Sequence, residues 1–157
     1  MYSEHPVYAL AQAVAVNVSY DAFAPAFTPT QWETVGNYLQ SFEVLPGEIL
    51  IDQGGLDRTL FFIESGSLSV HLLDAKGQMR LAILGAGSVV GEGAFFSRAP
   101  RSANVVATVA CRLWRLTAVR FSEMANRQPE LALEIALALG AVLSKRMVSR
   151  LKRVAVT

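Results

Sequence analysis

Turn-forming residues punctuate the middle of this chain at intervals of about eight to twelve positions. They are Pro46-Gly47, Gly54-Gly55, Gly66, Lys76-Gly77, Gly85 to Gly87 and Pro100. Short apolar or alternating runs lie between them. "SLSVHLL" places Leu68, Val70 and Leu72 on one face and His71 on the other. "MRLAIL" places Met79, Leu81 and Ile83 on one face, with Arg80 opposite. Short strands at regular spacing predict a sandwich or a small roll from about Ser41 to Thr117.

The flanks read as helical. Pro6 to Val18 is Ala/Val-rich, and a Pro-containing link, "AFAPAF", follows. In "TPTQWETVGNYLQ" both Thr28 with Gln31 and Thr30 with Glu33 fit a capping box, and Pro29 suits a first helical position. The expected helix runs to about Gln40, with Trp32, Val35 and Leu39 on one side. After the β zone, Thr117 is placed to cap a short helix through about Asn126. Pro129 then opens a long one whose only charge between Leu131 and Ser144 is Glu134. A helix that apolar has to be covered on more than one side. The β-roll covers one, and a second protomer is the natural cover for another. Farther along, Leu143, Met147, Leu151 and Val154 form an amphipathic stripe. Three zones follow: residues 1–40, 41–117 and 118–157. The fold class is mainly β with flanking helices, a small jelly-roll-like β-barrel bearing N-terminal helices and a long C-terminal helix.

Composition narrows the function classes. Of 157 residues 52% are hydrophobic, enough for a packed core, and the net charge of +1 carries no polyanion-binding signature. The last 18 residues hold Lys145, Arg146, Arg150, Lys152 and Arg153 and no acid. That tail is expected to be a solvated helix end favoured by the helix dipole. The one cysteine, Cys111, has no internal disulfide partner. With no basic leader at the N-terminus and no long uncharged apolar run, a soluble, cytoplasmic setting without a membrane span is expected. His5, His71 and Cys111 are too few soft ligands for a zinc site, so no metal is expected. "GAGSVVG" has the wrong spacing for a dinucleotide fingerprint and lies in no βαβ unit. Trp114 and Phe95-Phe96 are expected in the core.

The segment "GEGAFFSRAPRSANV", Gly91 to Val105, carries the chemistry. Gly91 ends a strand, and Glu92 to Phe96 fit one helical turn whose first backbone N–H groups face an anion. Gly93 and Ala94 let a ligand approach the backbone closely. Arg101 is permanently charged and its planar fork suits a phosphate. Glu92 would repel a phosphate but accepts hydrogen bonds from hydroxyls, such as those of a ribose. An acid for a sugar and an arginine plus amides for a phosphate describe a nucleotide site. The alternative is that Glu92 and Arg101 form a structural ion pair.

At these residues the chain resembles the cyclic nucleotide-binding domain family, which includes bacterial catabolite activator proteins, kinase A regulatory subunits and cyclic-nucleotide-gated channels. The family's cassette reads roughly Gly-Glu-x-Ala, a short helix, then Arg-Ser/Thr/Ala-Ala. Here that is Gly91-Glu92-Gly93-Ala94 and Arg101-Ser102-Ala103. Pro46-Gly47-Glu48 and "FFIESGSLSV" look like its strand and turn signatures. The resemblance implies that Glu92 accepts the ribose 2′-hydroxyl and Arg101 pairs with the cyclic phosphate. The amides of Gly93, Ala94 and Ser102 would complete the cradle, and the C-terminal helix would act as a lid. It implies cAMP as the first ligand and cGMP, which a hydroxyl at Ser102 can favour, as the second. Two positions depart from the pattern. "QGGLDRT" (53–59) has Arg58 where the family often has an acid, and Gly93 replaces a bulky apolar residue.

The expected function is a non-enzymatic cyclic-nucleotide sensor that signals by rearranging its C-terminal helix to an unidentified effector, and forms a homodimer through that helix. No helix-turn-helix is visible after the roll, so no specific DNA binding is expected. The alternatives are a ligand-free interaction module that kept the fold, and a cyclic-nucleotide hydrolase, for which no metal or base cluster is evident.

Overall fold

A computed structural model describes residues 4–156 of the chain, and the side chains of all of these except 74, 78–81 and 150–156. Helices α1 (Val7–Val16) and α2 (Pro29–Gly36) precede eight strands. These are β1 (Gln40–Val44), β2 (Ile49–Ile51), β3 (Leu60–Ser65), β4 (Leu68–Asp74), β5 (Gly77–Leu84), β6 (Val89–Val90), β7 (Asn104–Ala107) and β8 (Cys111–Leu116). The short helix α3 (Glu92–Ser97) interrupts them between β6 and β7. Helices α4 (Ala118–Arg127) and α5 (Pro129–Val156) end the chain.

The strands form two antiparallel sheets, β1-β8-β3-β6 and β2-β7-β4-β5. The roll is jelly-roll-like, and the two sheets are separate rather than closed into one hydrogen-bonded barrel. Strand β3 shows why "LFFI" lacks a polar face. Phe61 and Ile63 point between the sheets, while Leu60 and Phe62 point outward into a second core under the helices. A strand buried on both faces needs a continuous apolar run. Phe62 packs on Phe23, ring centroids 5.2 Å apart, so the N-terminal link contributes to that second core. Leu131, Ile135, Leu139 and Val142 of α5 fill it from the other side.

Local signals decide the boundaries. The capping box that forms is the Thr28–Gln31 one, with the Gln31 N–H donating to Thr28 Oγ1 at 3.2 Å and the Thr28 N–H to Gln31 Oε1 at 2.9 Å. Helix α2 stops at Gly36, four residues short of the expectation, because Gln40 is already paired with Arg115 across β1 and β8. Thr117 caps α4 as expected, accepting from the Arg120 N–H at 3.1 Å. At the β3–β4 turn Gly66 has φ +101°, and a Cβ there would lie 2.5 Å from Cys111 Sγ, so only glycine fits. Phe95 is buried, but Phe96 is 41% exposed, contrary to the expected burial of both. The outer side of α5 is uncovered, with Leu133 and Leu137 60% and 63% exposed. The faces expected for Met79, Leu81 and Arg80, and the stripe positions Leu151 and Val154, fall outside the described side chains.

Candidate functional site

Helix α3 owes its position to Gly91. Its φ of +91° turns the chain sharply out of β6, and a Cβ there would stand 2.7 Å from Arg101 Nη1 and 2.9 Å from the Thr59 carbonyl oxygen. The first intrahelical bond runs from the Phe95 N–H to the Gly91 carbonyl at 3.2 Å. The N–H groups of Glu92, Gly93 and Ala94 therefore have no intrahelical partner. Nothing stands within 4 Å of a Cβ built on Gly93, so this face of the turn is open. At the far end Arg98, with φ +59°, reverses the chain, and Arg58 Nη2 donates to the Phe95 carbonyl at 2.8 Å. The departure at Arg58 thus has a structural use: a cation at a helix C-terminus, where the dipole favours it.

Arg101 is 4% exposed and held by the loop 52–59. Its backbone exchanges two hydrogen bonds with that loop, Gly54 N–H to Arg101 O and Arg101 N–H to Gly55 O, both 2.7 Å. Its guanidinium donates from Nη2 to Asp57 Oδ2 (2.7 Å) and the Thr59 carbonyl (2.6 Å), from Nη1 to the Gly91 carbonyl (3.0 Å) and from Nε to Asp57 Oδ1 (3.4 Å). A guanidinium has five N–H donors, so one on Nη1 remains. The hydrogen bond from Arg101 holds the Asp57 carboxyl below the usual carboxylate range.

Glu92 is also buried, at 9% exposure, but its partner is not Arg101. Arg146 of α5 reaches it, with Nη1 2.7 Å from Glu92 Oε1. The same guanidinium donates from Nε to Asp21 Oδ2 at 2.8 Å and from Nη2 to the Val89 carbonyl at 2.9 Å. Burial works against its charge, yet the Glu92 and Asp21 carboxylates outweigh that and raise its pKa above the ordinary value. The structural ion pair considered between Glu92 and Arg101 is replaced by two separate pairs, Glu92–Arg146 and Arg101–Asp57. The basic tail is correspondingly not all solvated, since Arg146 is a half-buried hub.

Arg101, Glu92, Arg146 and Asp21 line one cavity of about 830 Å³ between the roll, α3 and α5. All seven residues singled out from the sequence, Gly91, Glu92, Gly93, Ala94, Arg101, Ser102 and Ala103, are on its wall. Val70, Ala82 and Leu84 give it an apolar floor, and Leu143 and Met147 approach from α5. Sequence reasoning missed Asp57, Arg146, Asp21 and Tyr20. Of these only Asp57 had a local signal, as the acid beside Arg58 in "QGGLDRT". Among the described residues no group of three metal-ligating side chains exists, and no helix is long and apolar enough to cross a membrane.

Residues 41–128, more than half of the chain, match the family model described as cyclic nucleotide-binding domain. The chain belongs to the cyclic nucleotide-binding domain family. Over 92 residues, 58% of its length, it is 36% identical to a cAMP-dependent protein kinase regulatory subunit of Blastocladiella emersonii, 23% of which is covered. Over 103 residues, 66% of its length, it is 37% identical to Glutaminase 2 of Bradyrhizobium diazoefficiens, 16% of which is covered. The chain thus spans under a quarter of the length of these curated relatives. In fold it is similar to a cyclic nucleotide-binding domain from Methylobacillus flagellatus, with a TM-score of 0.83 at 21% identity over 95% of this chain and 82% of that one. It therefore has the fold of a cyclic nucleotide-binding regulatory domain.

Proposed function

We propose that this chain is a non-enzymatic cyclic-nucleotide sensor, with cAMP as first ligand and cGMP as the alternative. One observation carries the reading. Seven residues marked from the sequence converge on one wall of one cavity, with a buried arginine and open helix-start amides beside a buried acid. The cyclic phosphate takes the remaining Nη1–H of Arg101 and the amides of Gly93, Ala94 and Ser102. Glu92 Oε1 is held by Arg146, and its other oxygen accepts the ribose 2′-hydroxyl. The identity to a cAMP-dependent kinase regulatory subunit supports cAMP as the first choice.

The output runs through α5. Ligand on Glu92 changes what Arg146 holds, and a helix moves only if it gains or loses contacts with the ligand state. The exposed Leu133 and Leu137 of α5 are the surface for a second copy of the chain or an effector. The test is thermal unfolding with cAMP, cGMP and 5′-AMP. A ligand at a hundred times its Kd stabilises the folded state by about 2.7 kcal/mol. A rise in Tm with a cyclic nucleotide and none with 5′-AMP is expected; no shift with either cyclic nucleotide contradicts the proposal.

A second reading, a ligand-free interaction module, is favoured by the protein partners that Arg101 and Glu92 already have. It predicts no shift with any nucleotide and a robust α5-mediated dimer by sedimentation.

A further inference from the structure

The two flanks of the family match meet at one end of the cavity. Tyr20 and Asp21 come from the link between α1 and α2, and Leu143, Arg146 and Met147 come from α5. All five lie outside residues 41–128. The link is not a loose loop. Phe23 is 1% exposed and packed on Phe62. The Ala26 N–H donates to Glu134 Oε1 of α5 at 2.8 Å, and Asp21 receives Arg146 Nε at 2.8 Å. Three anchors, one apolar and two polar, fix where Tyr20 stands. Tyr20 is 63% exposed, and the Lys145 ammonium lies 5.5 Å from the centroid of its ring.

We propose that this N-terminal link is part of the nucleotide site: Tyr20 is a wall of the base subsite, and Asp21 acts through Arg146 as a positioning residue for Glu92. The proposal rests on the reading of the cavity as a cyclic-nucleotide site. The order of contacts gives the assignment. Arg101 and the α3 amides mark the phosphate end, and Glu92 the ribose. Arg146 bonds Glu92 on one side and Asp21 on the other, and Tyr20 is Asp21's neighbour. A nucleotide laid along that order has one part left, its flat base, and the wall available there is Tyr20 with Leu143 and Met147. Every base has a π-face, so an aromatic wall suits it. Asp21 touches no ligand in this scheme. It fixes the guanidinium that in turn fixes one oxygen of Glu92 and leaves the other for the sugar.

The test uses the full chain and calorimetric titration of the wild type, Tyr20→Ala, Tyr20→Phe and Asp21→Asn with cAMP, cyclic CMP and 2′-deoxy-cAMP. Tyr20→Ala is expected to weaken cAMP about tenfold, the scale of one stacking contact, and the smaller pyrimidine less. Tyr20→Phe keeps wild-type affinity. Asp21→Asn weakens cAMP several-fold but leaves 2′-deoxy-cAMP unchanged from wild type, because that ligand has no hydroxyl for Glu92 to hold. Thermal unfolding of each variant reports its folding. Tyr20→Ala and Asp21→Asn proteins that bind cAMP as the wild type does overturn the proposal while the sensor reading stands. Equal losses for all three ligands also overturn it, since a merely structural role would act uniformly. A wild type that binds none of them removes both readings.

Discussion

Arg146 Nη1 stands 2.7 Å from Glu92 Oε1, joining the C-terminal helix to the cassette across 54 positions of sequence. The two side chains are 17% and 12% exposed, so the pair is mostly shielded from water. Truncating Arg146 to alanine leaves Glu92 and Asp21 without their shared cation. The expected cost is about 2 kcal/mol, since a buried charge losing its partner is more costly than a surface one. Urea denaturation checks this. The double variant Glu92→Gln/Arg146→Ala is expected to lose less than the sum of the singles, as interacting residues do. Strict additivity would mean that the pair is idle.

Gly91 and Gly93 are two residues apart and are expected to respond oppositely to alanine. At Gly91 the positive φ and the 2.7 Å approach to Arg101 Nη1 both oppose a Cβ, so Gly91→Ala costs about 1–2 kcal/mol or more. At Gly93 the space is open and the backbone helical, so Gly93→Ala gains up to about 1 kcal/mol. Chemical denaturation of the two variants side by side decides it, and equal effects would contradict the geometry.

Asp57 links Arg101 to pH. The Arg101 hydrogen bond lowers the carboxyl below its usual value, so the ionised form is favoured in the folded state. A lowered folded pKa contributes stability that is fully present above the unfolded value of about 3.9 and is lost as pH falls through the folded one. The stability difference between wild type and Asp57→Asn is therefore expected to be constant near neutrality and to shrink below about pH 4. A difference that grows in acid would refute this. More than half of the Asp57 side chain's surface, 57%, faces water, so the effect is modest.

Phe62 and Phe96 separate core from surface. Phe62 is 3% exposed and packed on Phe23, and Phe62→Ala is expected to cost about 3–5 kcal/mol. Phe96 is 41% exposed, and Phe96→Ser is expected to cost under about 1 kcal/mol. Thermal or urea unfolding distinguishes them, and comparable losses would place Phe96 in the core after all.

What was legible in the sequence was local. Gly91 to Ala103 lie within one loop, helix and loop, so their spacing alone brought the acid, the arginine and the small residues to one cavity wall. The strand zone was legible because period-two patterns and turn glycines are local too. The partners were not. Asp57 is 44 positions from Arg101, and Asp21 is 125 from Arg146. Nothing in a basic helix end says which of its arginines folds inward. Arg146 does so because its place on α5 faces α3, while Leu133 and Leu137 face away. The sequence predicts too long an α2 because Leu39 continues the apolar side of Trp32 and Val35, whereas pairing of Gln40 with Arg115 claims the chain for a sheet. Phe95 and Phe96 are adjacent on a six-residue helix, where neighbours point about 100° apart, and only one can face the core.

The most direct measurement is calorimetric titration of nucleotide-stripped protein with cAMP and with cGMP, beside Arg101→Ala and Arg101→Lys. Micromolar or tighter binding of one cyclic nucleotide is expected. The alanine variant is expected to lose about a hundredfold, the size of a lost charge-assisted contact, with the lysine variant in between. Wild-type affinity retained in Arg101→Ala, or no heat from the wild type with either ligand, would contradict the sensor reading.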